Sequence, residues 1–488
     1  MDIFTAKKIH CIGIGGIGVS ALATLWRAEG KEISGSDAEE SEITRALAKS
    51  GIAVHIGQMS NVKCQMSDVV VYSDAVPENN IERVEAAKRG IPEMSYAQAL
   101  GQVSREYKTI VVTGTHGKST TTAMLGLILE AAGLDPLVLV GSKVPEWGNS
   151  NLRLPSTLRH SERSSSEAEE SHIMQSVRSL HSARASVEMT KKSDWFVVEG
   201  DDYRDHFLEL KPYAVVVTSI EWDHPDYFRD LEHTAQSFQT LAEKVPADGF
   251  IILNEDDAGC KRLTHRLSRS PIPRNRGMVM YGSGSQVFKS LTLQVPGQFN
   301  RYNATAAATA AIELGVAIEV IQKALGEFNG IWRRFEIVGQ VSDFGCQVSD
   351  CPIVISDYGH HPTAIRETMK AAREAYPGRR LVLVYQPHQH SRTKHLFDDF
   401  VEALKDAADV VILSEIYAVK GRMEDRNVSS SDLVDAISRL RNREMGNFVY
   451  GGNLEQTKRI VLEHIQPGDV VIFMGAGDID QLAREMVR

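Results

Sequence analysis

Six consecutive residues, Gly114-Thr115-His116-Gly117-Lys118-Ser119, set a lysine and a hydroxyl directly after a glycine turn. The apolar run "KTIVVTG" precedes them and the helix-like run "KSTTTAMLGLILEAAG" follows. In such a turn the backbone N–H groups can wrap phosphate oxygens, the Lys118 ammonium can neutralise β/γ-phosphate charge, and the Ser119 hydroxyl can ligate Mg2+. Only two residues separate the glycines, against four in the ordinary phosphate loop. The competing reading is a Ser/Thr-rich helix start capped by Ser119 or Thr120. A lysine set among glycines at a strand end favours the phosphate loop, and the expected ligand is ATP.

A second glycine turn lies about a hundred residues earlier. In "CIGIGGIGVSALA", Gly13, Gly15 and Gly18 follow G-x-G-x-x-G, with the acidic Asp37 downstream. Such a turn favours a ligand phosphate at the helix N-terminus, where free N–H groups and the helix dipole attract negative charge. A dinucleotide, another nucleotide and a purely structural turn all remain open, because any tight strand-to-helix turn uses glycine for packing.

Both loops need strands and helices to hold them. "KIHCIGI", "EISGSD" and "DVVVYS" read as strands alternating with the helical runs "GVSALATLWRAEG", "SEITRALAKSG" and "NIERVEAAKRG". This pattern predicts a parallel sheet with crossover helices. A second unit starts at "KTIVVTG", resumes with "DWFVVEG" and "YAVVVTSI", and contains the Ala-rich helix "NATAAATAAIELG". A third, after "FNGIWRRFE", repeats strand–helix alternation to the C-terminus. The expected fold is therefore α/β in three domains: Rossmann-like over 1–107, a P-loop ATPase-like parallel or mixed sheet over 108–329, and Rossmann-like over 330–488. Residues 153–193, rich in Ser, Arg, Glu and His, read as a mobile insertion that cannot bury enough to offset its ordering entropy.

Fifty-four basic against 64 acidic residues leave a net charge of −10 with no long basic run, which argues against nucleic acid. Five scattered cysteines, Cys11, Cys64, Cys260, Cys346 and Cys351, lack zinc or redox spacing and suggest a reducing compartment. "KKIHCIGIGGIGVSALATLW" has the charged start of a signal peptide, but its glycines and histidine suit a strand and turn better. No stretch is apolar for long enough to span a membrane, so a cytoplasmic location is expected.

From "GTHGKSTTT" onward the sequence resembles the Mur ligase family, ATP-dependent amide-bond-forming enzymes of peptidoglycan synthesis. "VVEGDD", "VVTSIEWDHPDYF", "GQFNRYNATAAA", "FNGIWRRFE", "SDYGHHPTAI" and "YQPHQHSRT" follow in the family's order. The resemblance implies that ATP activates the carboxylate of UDP-N-acetylmuramate as an acyl phosphate, which an amino acid then opens. L-Alanine is the expected amino acid, with glycine and L-serine open and a tripeptide as the sister reaction. A nicotinamide-dependent oxidoreductase is the remoter alternative, using the first loop alone. A monomer or a homodimer is expected.

Residue roles follow from the same resemblance. Gly114, Thr115, His116, Gly117, Lys118, Ser119 and Thr120, with Asn300, Asn303, Arg334 and Asp357, are expected at ATP. Lys118, Glu199 and His224 are the expected catalytic set, and Ser119, Glu199 and His224 the Mg2+ ligands. Gly15, Gly16, Ile17, Gly18, Ser36, Asp37 and Ser73 are expected at the UDP-sugar. Tyr358, His360, His388 and Arg392 are expected at the amino acid, Arg392 binding its carboxylate bidentately. Either Arg333 or Arg334 reaches phosphate. Gln389 stands where the family often has arginine. The cluster His360, His361, His388 and His390 lacks the spacing or cysteine partners of a zinc site.

Overall fold

The computed structural model describes residues 3–57, 67–159, 193–270, 277–341, 350–419, 427–440 and 448–487, arranged around three sheets. The first contains β1 (Lys8–Ile12), β2 (Glu32–Asp37), β3 (Ala53–Ile56), β4 (Val69–Tyr72) and β5 (Glu93–Ser95), in the order β3-β2-β1-β4-β5 with every pair parallel. The order reverses at β1, and the first glycine turn leaves the C-terminal end of that strand, where such sheets bind ligands. The short edge strands β3 and β5 carry no alternation that would mark them in sequence.

The second sheet comprises β6 (Lys108–Thr113), β7 (Leu137–Val144), β8 (Ser150–Arg153), β9 (Trp195–Glu199), β10 (Pro212–Val217), β11 (Phe250–Asn254) and β12 (Gly277–Tyr281). Its order is β12-β11-β10-β6-β9-β7-β8, parallel except for the β7–β8 hairpin. Strand β6, which feeds the phosphate loop, lies at its centre. Buried on both faces, it reads as a continuous apolar run. Val111 and Val198 point into a core shared with the first unit, whereas Ile110, Val112 and Val197 pack beneath two helices, Lys118–Ala131 and Gln298–Glu313. The alanines of the second helix let the two come close: Ala304, Ala306, Ala307, Ala308, Ala310 and Ala311 are all buried.

The third sheet holds β13 (Glu336–Gln340), β14 (Ile353–Asp357), β15 (Leu381–Tyr385), β16 (Val410–Ser414), β17 (Phe448–Gly452) and β18 (Val470–Met474), ordered β13-β14-β18-β15-β16-β17. Only β13 runs antiparallel.

Most of the sequence-read insertion, 160–192, lies outside the described residues. Its first part does not behave as an insertion. Arg153 ends β8 with its guanidinium bonded to Pro136 O, to Glu130 at 3.0 Å and to Asp135 at 2.8 Å, and Leu154 is buried. These partners lie in other elements, so local composition could not reveal them. The cysteine reading also changes: Cys11 and Cys260 are free and buried, whereas Cys351 is disulfide-bonded. Among the described residues, no helix is long and apolar enough to cross a membrane.

Candidate active site

Gly117 ends the phosphate loop at φ +80°, in the left-handed region, and a Cβ there would lie 2.2 Å from Asn303 Oδ1. Glycine is therefore required twice over, by backbone conformation and by the close approach of the Ala-rich helix. The loop is braced from the segment after β10. Thr115 N–H donates to Ser219 O at 2.9 Å, His116 N–H to Ser219 Oγ at 3.1 Å, and Glu221 N–H to Thr115 Oγ1 at 2.8 Å.

Lys118 reaches Asp202 Oδ1 at 2.8 Å. Burial works against its charge, but Asp202, helped by Asp201 and Glu199, outweighs this and raises its pKa above the ordinary lysine value. Ser119 Oγ donates to Glu199 Oε1 at 3.0 Å and accepts from Arg334 Nη2 at 3.3 Å. Gly141 N–H, on β7, fixes the other Glu199 oxygen at 2.6 Å; a side chain at Gly141 would collide with that carboxylate. A hydroxyl and a carboxylate side by side suit a hard cation. His224, at φ +53°, keeps a buried Nδ1 without a hydrogen-bond partner among the described residues.

Lys118, Ser119, Glu199, His224 and Arg334 line one cavity of about 610 Å³ between the second and third sheets, together with Thr115, His116, Gly117, Thr120, Asn303 and Asp357. Asn300 is not among its lining residues. Its Nδ2 donates to Pro296 O at 2.7 Å, so it secures the start of its helix. Asp357 is buried and accepts from the N–H groups of Phe335 and Gly359, both at 2.8 Å, which ties the crossing into the third unit. Burial raises its pKa despite Arg334 nearby. The two hinge arginines separate clearly. Both lie over the Tyr358 ring, but Arg333 donates to the carbonyls of Gly475 and Gly477, whereas Arg334 donates to Ser119 Oγ.

Tyr358 and His360 line the same cavity, while Arg392 meets it through the lining residue Asp223, and His388 lies against Arg392. Arg392, 1% exposed, donates from Nε to Asp223 Oδ1 at 2.7 Å and approaches His388 Nδ1 at 3.2 Å. Burial would raise the Asp223 pKa, but Arg392 holds it well below the usual carboxylate range. Burial and the Arg392 charge push His360 down to about 3, so it is neutral at pH 7. His388 stacks on Tyr417, ring centroids 5.5 Å apart.

In the first unit, Gly15, Gly16, Ile17 and Gly18 form the turn into the helix Ile17–Ala28. Gly15 N–H donates to Asp37 Oδ2 at 2.7 Å, and a Cβ at Gly18 would strike the Tyr96 ring. Ser73 sits beside the turn, its N–H bonded to Ile12 O. Ser36 supports the turn from within: its buried hydroxyl donates to Glu82 Oε2 at 2.9 Å, in a network with His10, and its carbonyl accepts from the N–H groups of Gly13 and Ile14. Asn151, beside β7, donates to Ile17 O at 2.8 Å and links this turn to the second sheet.

Asp202, Glu221 and Asp223 were not singled out from sequence, although all stand in quoted motifs; only the fold shows which side chain each one meets.

Comparison with known proteins agrees along the whole chain. Three family models match: Mur ligase family, catalytic domain (8–108); Mur ligase middle domain (112–311); and Mur ligase, glutamate ligase domain (333–477). The chain is 34% identical to a UDP-N-acetylmuramate–L-alanine ligase of Alkaliphilus metalliredigens, over 100% of this chain and 98% of that protein. It is equally identical to the enzyme so named from Desulfitobacterium hafniense, over 98% and 99% of the two. Among solved structures, the UDP-N-acetylmuramate-alanine ligase of Thermotoga maritima superposes with a TM-score of 0.73 at 24% identity, covering 98% of both chains. A murein peptide ligase from Psychrobacter arcticus gives 0.66 at 21%, again covering 98% of each. With family models matched across all three sheets and relatives aligned end to end, the chain belongs to the Mur ligase family.

Proposed function

We propose that this protein is an ATP-dependent ligase joining L-alanine to the carboxylate of UDP-N-acetylmuramate in peptidoglycan precursor synthesis. The observation that carries the reading is the convergence of Lys118, Ser119, Glu199 and Arg334 on one phosphate loop. The names of the full-length relatives supply the substrates.

A carboxylate resists an amine at neutral pH because its leaving group is oxide. Transfer of the ATP γ-phosphoryl group to a carboxylate oxygen breaks the bond to ADP and creates an acyl phosphate. The amine then attacks the acyl carbon and phosphate leaves. The protein positions the reactants and neutralises charge on the transferring group. Ser119 and Glu199 would hold one Mg2+ and His224 would help hold a second; bound there, Mg2+ supplies charge neutralisation at the phosphates. Lys118 exchanges Asp202 for phosphate oxygens, and Arg334 reaches the same loop from the third unit. Gly15, Gly16, Ile17 and Gly18, with Ser73, receive the UDP-sugar. Tyr358, His360, His388 and Arg392 receive the amino acid. The enzyme works in the cytoplasm on small molecules, as a monomer or a homodimer.

Asp37 weighs against the nicotinamide alternative. The acid that would bind a ribose is engaged by the loop's own Gly15 N–H. A tripeptide is the rival amine. Phosphate release with ATP, Mg2+ and UDP-N-acetylmuramate separates these readings, using L-alanine, glycine, L-serine and a tripeptide in parallel. The expected result is turnover with L-alanine, reduced by roughly 10³-fold or more in Lys118→Ala. Turnover only with the tripeptide would shift the assignment to the sister reaction.

A further inference from the structure

Where the second and third sheets meet, three side chains from distant parts of the chain converge. His116 belongs to the phosphate loop, Glu221 follows β10, and His361 precedes the helix Pro362–Ala375. His116 Nε2 and His361 Nδ1 each lie 3.6 Å from the same oxygen, Glu221 Oε2. Candidate ligand atoms of all three lie within 4.8 Å of one another. Separations of 3.6 Å are too long for hydrogen bonds. His116 Nε2 is buried without a hydrogen-bond partner among the described residues.

A tetrahedral ion with bonds of about 2.0–2.1 Å holds neighbouring donors roughly 3.3–3.4 Å apart. Both gaps to Glu221 therefore close with small side-chain shifts. Burial pushes His361 down to about 4, which favours the neutral imidazole that an ion needs. The Thr363 N–H donates to His361 Nδ1 at 3.3 Å, which puts the lone pair on the nitrogen facing Glu221. An ion there displaces this long hydrogen bond.

We propose that His116, Glu221 and His361 form a binding site for a borderline transition-metal ion such as Zn2+, with water completing its coordination. Two imidazoles and a carboxylate are a zinc donor set, whereas Mg2+ demands oxygen-rich octahedral coordination. The site is separate from Ser119, Glu199 and His224, and it does not rest on the substrates proposed above. Its ligands are more than a hundred residues apart in sequence, so no local spacing announces it. An ion bound here ties the phosphate loop directly to the third unit.

The test is Co2+ titration of the nucleotide-free, full-length protein in excess Mg2+, read by visible ligand-field absorption and reversed by Zn2+. One Co2+ per chain is expected. Glu221→Gln and His361→Ala should each weaken binding roughly a hundredfold or more, while His224→Ala leaves it unchanged. Glu221→Gln is isosteric and can still accept from Thr363 Oγ1, so it decides the matter if His361→Ala fails to fold. Wild-type affinity in Glu221→Gln, loss of binding in His224→Ala, or no stoichiometric Co2+ uptake by the wild type would overturn the proposal.

Discussion

Arg392 illustrates how one residue can have two obligations. As an amino-acid ligand it should be free, yet its Nε is committed to Asp223 in a fully buried pair. Removing one partner of such a pair leaves an uncompensated charge and typically costs about 3–5 kcal/mol. Arg392→Ala should therefore lower urea-unfolding stability by that order as well as raise KM for the amino acid. In an Asp223→Asn background the stability loss should shrink, giving a coupling of roughly 0.5–3 kcal/mol in a double-mutant cycle. Strict additivity would mean that the pair carries no stability of its own. An unchanged KM would remove Arg392 from the amino-acid site.

The two glycine turns are the elements on which the account rests. Replacing Gly117 with Ala forces a strained φ and sets a methyl group against Asn303 Oδ1. Gly117→Ala should weaken ATP binding at least about tenfold, with a stability loss of about 1 kcal/mol or more. Calorimetric ATP affinity equal to the wild type would contradict this. The β7–β8 hairpin offers a second check. Burial opposes ionisation of Glu130 and Asp135, but Arg153 at Glu130, and the Ser156 hydroxyl and N–H followed by Arg153 at Asp135, prevail and lower both pKa values. The unfolded chain then binds more protons than the folded one, so stability rises with pH across this range. The pair's contribution is complete above the ordinary carboxylate values and is lost as pH falls through the lowered ones. Melting temperatures of Arg153→Met between pH 6 and 3 should consequently fall less than those of the wild type; parallel curves would refute this.

These two elements also show what can be read from sequence. The strand–turn–helix around Gly117 is contiguous, so its loop and ligand chemistry were legible in a few residues. Asp202 meets Lys118 across 84 residues and Asp223 meets Arg392 across 169. No window of sequence contains either contact. The Ser36–Glu82 hydrogen bond is hidden for the same reason, because Glu82 comes from a helix 46 residues away.

At the scale of the molecule, the first sheet carries one glycine turn, while the phosphate loop of the second and the Tyr358–His360 segment of the third line a shared cavity. Asn151 links the first to the second, and Arg334 the third to the second. Such an arrangement suits a reaction in which three substrates must meet with water kept out. Its central claim is that the sugar acid passes through an acyl phosphate. The direct measurement uses UDP-N-acetylmuramate labelled with ¹⁸O in its carboxylate, with mass analysis of the phosphate released during amide formation. Transfer of one labelled oxygen to each phosphate is the predicted result. Unlabelled phosphate released in step with the amide would contradict it.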